Sequence, residues 1–180
     1  MHAKRWKKGN GMKNISAWQV KIQFFFSRHI FRPKPHVFLY RLTGGIVGSR
    51  LPGMPLVDWL LLTVRGRKTG KLRTCPLCHF QVGQQTVVAA SNGGKDHHPS
   101  WYWNLRSNPD AVVQLGRSQR EVRARLAEGP ERERLWSAIT QMLPVFALYQ
   151  QQTTREIPVF ILEPVQEKSG KVVRHLSPYS

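Results

Sequence analysis

The segment Gly66-Arg67-Lys68-Thr69-Gly70 sets two cations and a hydroxyl between two glycines, and Lys71 and Arg73 follow directly. Arginine offers a planar fork of donors and lysine a compact point charge, so the cluster predicts a grip for phosphate or carboxylate. It is not a P-loop, because the Gly-x4-Gly-Lys-Ser/Thr spacing is missing. A hairpin turn with solvated charges would look the same, and the turn alone does not decide between the two. Cys75-Pro76-Leu77-Cys78-His79 has the pattern of covalent haem attachment. In a strand, residues three apart face opposite sides. A zinc site would need further ligands, and a thioredoxin-like pair would open a helix, so the pattern is read as incidental and no metal is expected. His97 and His98 could ligate a metal or act as a base, but in a polar loop they are read as solvated. Tyr149, in a short helical turn, is either a core ring or a hydroxyl available for chemistry.

The charge balance widens the list of anionic partners. The 180 residues carry 28 Lys and Arg against 10 Asp and Glu, and no acid precedes Asp58. Such a field attracts nucleic acid, an anionic membrane surface or an acidic ligand. Two cysteines close together give no disulfide framework, which fits a reducing cytoplasm. The apolar stretch near the start is interrupted by Gln19, Lys21 and Gln23, and it falls short of the roughly 20 apolar residues of a spanning helix. Neither export nor a membrane span is expected; a cytoplasmic protein is, with peripheral contact at the inner face of the cell membrane left open.

These residues need elements to position them. Residues 1–13 read as a mobile basic tail. Over 14–35, Ile15, Trp18, Ile22, Phe25, Phe26 and Ile30 recur at helical spacing, with Lys21, Arg28 and Arg32 off the stripe. That amphipathic helix either lies on a membrane surface or packs on the core, and Pro33 and Pro35 are expected to end it. A short helix is predicted over 36–42, closed by Gly44-Gly45, and Pro52, Gly53 and Pro55 mark a loop. Strands follow over 59–65, 72–80 and 86–91, then a helix opened by Pro99. A strand pair over 111–115 and 121–126 flanks a turn at Gly116, a helix runs over 130–143, a helical turn reaches Tyr149 after Pro144, and 157–162 is the last strand. Consecutive strands with helices as inserts predict an antiparallel barrel rather than βαβ units.

Three segments together resemble the deazaflavin-dependent nitroreductase family, which uses the 8-hydroxy-5-deazaflavin coenzyme F-420. They are Leu61-Leu62-Thr63-Val64-Arg65-Gly66-Arg67-Lys68-Thr69-Gly70-Lys71-Leu72-Arg73-Thr74, Val88-Ala89-Ala90-Ser91-Asn92-Gly93-Gly94, and His98-Pro99-Ser100-Trp101-Tyr102-Trp103-Asn104-Leu105. Ile157-Pro158-Val159-Phe160 and Glu163-Pro164 match the family's last strand. The resemblance implies an α+β fold, a split β-barrel of the FMN-binding type over 36–166 with flanking helices, and a C-terminal tail over 167–180. It implies that Arg67, Lys68, Thr69 and Arg73 bind the phosphate and acidic tail of coenzyme F-420. Thr74, Cys75, Pro76, Leu77 and Cys78 would run beside the deazaflavin ring, Ala90, Ser91 and Asn92 would give backbone contacts, and Trp101, Tyr102 and Asn104 would wall the groove. The activity implied is hydride transfer to a quinone or nitroaromatic acceptor, and Tyr149 is the catalytic candidate in a segment that is tyrosine-rich in relatives. An FMN-binding split-barrel oxidoreductase and a basic nucleic-acid binder remain as alternatives; for the latter no recognised module is present and no specific nucleic acid is expected.

Overall fold

The computed structural model describes residues 33–43, 45 and 58–165. The expected tails at 1–13 and 167–180, the 14–35 helix up to residue 32, and the loop at Pro52, Gly53 and Pro55 lie outside the described residues.

Six strands, β1 (Asp58–Arg65), β2 (Leu72–Val82), β3 (Gln85–Ala89), β4 (Asp110–Leu115), β5 (Ser118–Leu126) and β6 (Val159–Pro164), close a barrel in the order β1-β2-β3-β6-β5-β4. Every neighbouring pair is antiparallel. Among the described residues, four α-helices flank it: α1 (Pro33–Leu42), α2 (Ser100–Ser107), α3 (Gly129–Met142) and α4 (Val145–Gln151). The expected split-barrel fold is therefore the one observed. No helix of the described residues is long and apolar enough to cross a membrane.

Pro33 and Pro35 stand in the first turn of α1, which begins three residues before the expected 36–42 helix; the segment they were expected to end lies outside the described residues. The first four N–H groups of a helix have no partner within it, so proline costs little there. Tyr40 fixes α1 to the barrel: its buried hydroxyl donates to the Trp59 carbonyl at 3.0 Å and accepts from the Gly116 N–H at 2.9 Å. Gly45, at φ 82°, sits so close that an added Cβ would stand 2.6 Å from Gly116 Cα. Only glycine tolerates both that conformation and that approach.

Two apolar layers explain the strand sequences. Inside the barrel, Leu60, Leu62 and Val64 of β1 meet Val88, Ala111, Val113, Val122, Ala124, Phe160 and Leu162. Outside, α3 and α4 press Leu135, Ile139, Phe146 and Tyr149 against Phe80, Val87, Val159 and Ile161. A strand covered on both faces reads as a continuous apolar run, as β1 and β6 do. On β5, Val122 and Ala124 turn inward while Arg123 and Arg125 reach solvent, giving the alternation of a half-buried strand. Arg125 ties three elements together through Glu131 of α3 at 2.6 Å and Glu163 of β6 at 2.9 Å. The guanidinium hydrogen bond holds the Glu131 carboxyl at about 2, well below its ordinary value.

Candidate functional site

The β1–β2 connection is a tight turn closed on itself. The Gly66 N–H donates to the Lys71 carbonyl at 2.9 Å, the Gly70 N–H returns to Gly66 at 2.8 Å, and Gly70 takes φ 68°. A second anchor comes from far along the chain, where the Asn104 side-chain oxygen accepts the Arg67 N–H at 3.1 Å. Asn104 is buried on α2, so the amide locks the turn against that helix. The Arg67 guanidinium also lies over the Trp103 ring, 5.8 Å from its centre.

Turn, strand and helix enclose a cleft of about 570 Å3. Arg67, Lys68, Thr69 and Arg73 form its basic side, and Val64, Cys75, Ser100, Trp101, Trp103 and Asn104 complete it. Among the described residues, Arg67, Lys68 and Arg73 have no carboxylate partner, whereas Arg123, Arg125 and Arg132 are each paired. Three unneutralised cations beside an aromatic wall favour an elongated anion with a flat, apolar part.

The structure brings Arg67, Lys68, Thr69, Arg73, Cys75, Trp101 and Asn104 of the expected set to one cleft. The rest are placed elsewhere. Because β2 is extended, the side chains of Thr74, Pro76 and Cys78 alternate to the outer face: the Thr74 hydroxyl meets Thr63 at 2.9 Å and Arg41 at 3.0 Å, and Cys78 packs against the outer core. Leu77 joins the interior layer. Cys75 and Cys78 are thus on opposite faces and do not converge on one ligand. Burial pushes the Cys75 thiol up to about 12, and the Cys78 thiol also rises, first through burial and then through Asp58; both stay protonated near neutral pH. Over 72–79, β2 pairs with β1 alone, β3 joining only from Phe80. Pro76, which has no N–H to give, suits that edge.

Ala90, Ser91 and Asn92 lie in a loop beyond the cleft. The Ala90 N–H donates to Pro158 at 2.8 Å, and the Ala90 and Ser91 carbonyls both accept from Arg155. Tyr102 stacks on His98 at 4.0 Å rather than lining the cleft. Tyr149 is 4% exposed, its ring 5.5 Å from that of Phe146 and outside the residues that line the cleft. Its backbone supports the loop, since a Cβ on Gly94 would stand 3.1 Å from the Tyr149 carbonyl. Sequence reading missed Trp103, Ser100 and Arg155. The helical spacing of Trp101, Asn104 and Leu105, which leaves the Trp103 ring off their face, could have found Trp103; a lone arginine between Thr154 and Glu156 carries no such signal.

The sequence profile of the "F420H(2)-dependent quinone reductase" family matches residues 32–164. An F420H(2)-dependent quinone reductase of Mycobacterium tuberculosis (strain ATCC 25618 / H37Rv) is 36% identical over 130 residues, which cover 71% of this chain and 86% of the relative. Among solved structures, an F420-H2 dependent reductase is 42% identical with a TM-score of 0.54, covering 58% of this chain and 93% of the other. A structure described as a domain-swapped dimer is 36% identical with a TM-score of 0.58, covering 72% and 93%. The chain belongs to the F420H(2)-dependent quinone reductase family, whose cofactor is coenzyme F-420.

Proposed function

We propose that the cleft holds coenzyme F-420 with its anionic part on Arg67, Lys68 and Arg73, and that the protein passes a hydride from it to a quinone. The observation that carries this reading is the set of three cations without carboxylate partners on one wall of a cleft large enough for a flat cofactor. When bound, the reduced deazaflavin supplies the hydride chemistry. The chain's part is to bind and orient. The Thr69 hydroxyl adds a donor to the cationic wall, Asn104 keeps the turn in register with α2, and the apolar Val64, Cys75 and Trp101 limit water on the other side. Cys75, protonated and donating to the Leu62 carbonyl at 3.6 Å, serves as neutral wall and not as nucleophile. Tyr149 acts through packing in this reading, and with no tyrosine cluster over 143–149 the expected acceptors are quinones ahead of nitroaromatics.

Purified protein titrated with reduced coenzyme F-420 and a quinone panel is expected to oxidise the coenzyme at a rate that depends on the quinone, with nitroaromatics slower. Tight FMN binding without a response to coenzyme F-420 would replace this reading with the FMN alternative.

A quinone soluble in the bilayer gives the basic aromatic segment 14–35 a use, which is to hold the cleft at an anionic membrane surface. Replacing Lys21, Arg28 and Arg32 together by Gln in the full chain is expected to weaken binding to anionic vesicles, read by sedimentation, by about a hundredfold, at roughly 1 kcal/mol per surface charge. Unchanged sedimentation would remove the membrane role and leave the cleft assignment standing.

A further inference from the structure

Arg155 lies in the connection between α4 and β6, and its guanidinium reaches back to the loop after β3. Nε donates to the Lys95 carbonyl at 2.9 Å, and Nη2 donates to the Ala90 and Ser91 carbonyls at 3.1 and 2.8 Å. Nη1 lies 3.1 Å from His98 Nδ1. A guanidinium has donors only, so Nδ1 must offer its lone pair and His98 is neutral, with its proton on Nε2. The His98 ring stacks on Tyr102 at 4.0 Å with a 17° tilt and meets the edge of Trp103 at 5.4 Å. Tyr102 and Trp103 are themselves 4.9 Å apart. Trp103, 44% exposed, stands at the cleft with Arg67 over its ring. A continuous chain of contacts therefore runs from Arg155 through His98 and the aromatic pair to a cation of the cleft.

We infer that Arg155 and His98 are positioning residues for the cleft: neutral His98 takes the Arg155 hydrogen bond and braces the Tyr102–Trp103 pair under Arg67, and protonation of His98 releases that brace. The inference rests on the coenzyme reading given above. An imidazolium would carry N–H on both nitrogens, turning the 3.1 Å contact into two facing donors of like charge. The titratable groups that meet His98 are Arg155 from the connection before β6 and Tyr102 from α2; burial lowers the Arg155 pKa, and Asp96 and Tyr102 oppose that shift. Burial first, and Arg155 second, lower the His98 pKa below its ordinary value. A lowered value in the folded chain means that the neutral form stabilises the fold. That contribution is complete above the ordinary imidazole pKa of about 6.5, and it is lost as pH falls through the lowered folded value.

The test uses the full chain, wild type and His98→Gln, whose amide oxygen can accept from Arg155 without titrating. Binding of coenzyme F-420 is measured at pH 7.5 and pH 5, together with amide hydrogen-exchange protection of residues 90–98 without coenzyme, corrected for intrinsic exchange. Wild type is expected to lose about tenfold more affinity on acidification than His98→Gln, the equivalent of about one pKa unit, and its 90–98 protection falls while that of the variant holds. Any ionisation of the coenzyme is common to both proteins and cancels. Parallel losses in the two proteins overturn the inference, as does an Arg155→Lys protein that binds like wild type at both pH values. If His98→Gln does not fold, His98→Asn takes its place. If wild type fails to bind coenzyme F-420 even at pH 7.5, the function reading fails, and the exchange comparison still decides whether the brace exists.

Discussion

With Arg67 and Arg73 both replaced by Gln, coenzyme F-420 binding is expected to weaken by about a hundredfold or more, while thermal stability stays near wild type. Hydrogen bonds to charged groups are worth roughly 1.5–3 kcal/mol each, and solvent at the open side of the cleft discounts that figure. Neither guanidinium is paired with a carboxylate among the described residues, and the Arg67 tie to Asn104 runs through its backbone, so the fold keeps its anchor. The single variants should each show an intermediate loss, with a weaker salt dependence than wild type. Equilibrium titration across a range of ionic strength checks the result. Unchanged affinity in the double variant would move the anion site away from this turn.

The second large effect is on stability. Phe160 is 2% exposed on β6 inside the barrel, with its ring 5.8 Å from both Trp101 and Tyr102. Truncation to Ala removes a full ring from a closed interior, at a cost of about 3–5 kcal/mol. For a chain of this size that lowers Tm by roughly 10 °C. The loss extends to the site, because Trp101 lines the cleft and Tyr102 belongs to the aromatic pair beside it. Coenzyme affinity should therefore fall in Phe160→Ala even at temperatures where the protein is folded. Urea unfolding with an unchanged slope and a lower midpoint would verify the stability effect; a change below about 1 kcal/mol would mean that the interior repacks around the gap.

The barrel was legible because hydrophobic period and turn chemistry agree along most of the chain. The alternation over Glu121–Leu126, the run over Trp59–Val64 and the glycines at 83 and 116 mark strands and hairpins without any tertiary information. The end of α1 was readable from glycine, but its start was not, since proline stops a helix in its interior and is accepted in its first turn. At the site, the cations of the turn were visible from their spacing. The alternation that sends Thr74, Pro76 and Cys78 away from the cleft follows from the strand assignment. What sequence could not convey is which distant polar group meets which. The Asn104 amide on the Arg67 N–H and the Arg155 guanidinium on three loop carbonyls join segments 37 and about 60 residues apart. Nothing in local composition distinguishes such residues from solvated ones.

That separation sets when the cleft can exist during folding. The β1–β2 hairpin is local and can form early, but its turn is only half of the site. The other half is α2, which is held in place when β4 pairs with β1 and closes the barrel. Contacts between distant segments form slowly because loop-closure entropy must be met first. A ligand that needs both halves has no affinity for the open chain, so it adds stability only to the closed one, by RT ln(1 + [L]/Kd). Coenzyme held in the proposed cleft would then act as a staple between the two halves, and the melting temperature of the closed chain should rise with coenzyme concentration above Kd.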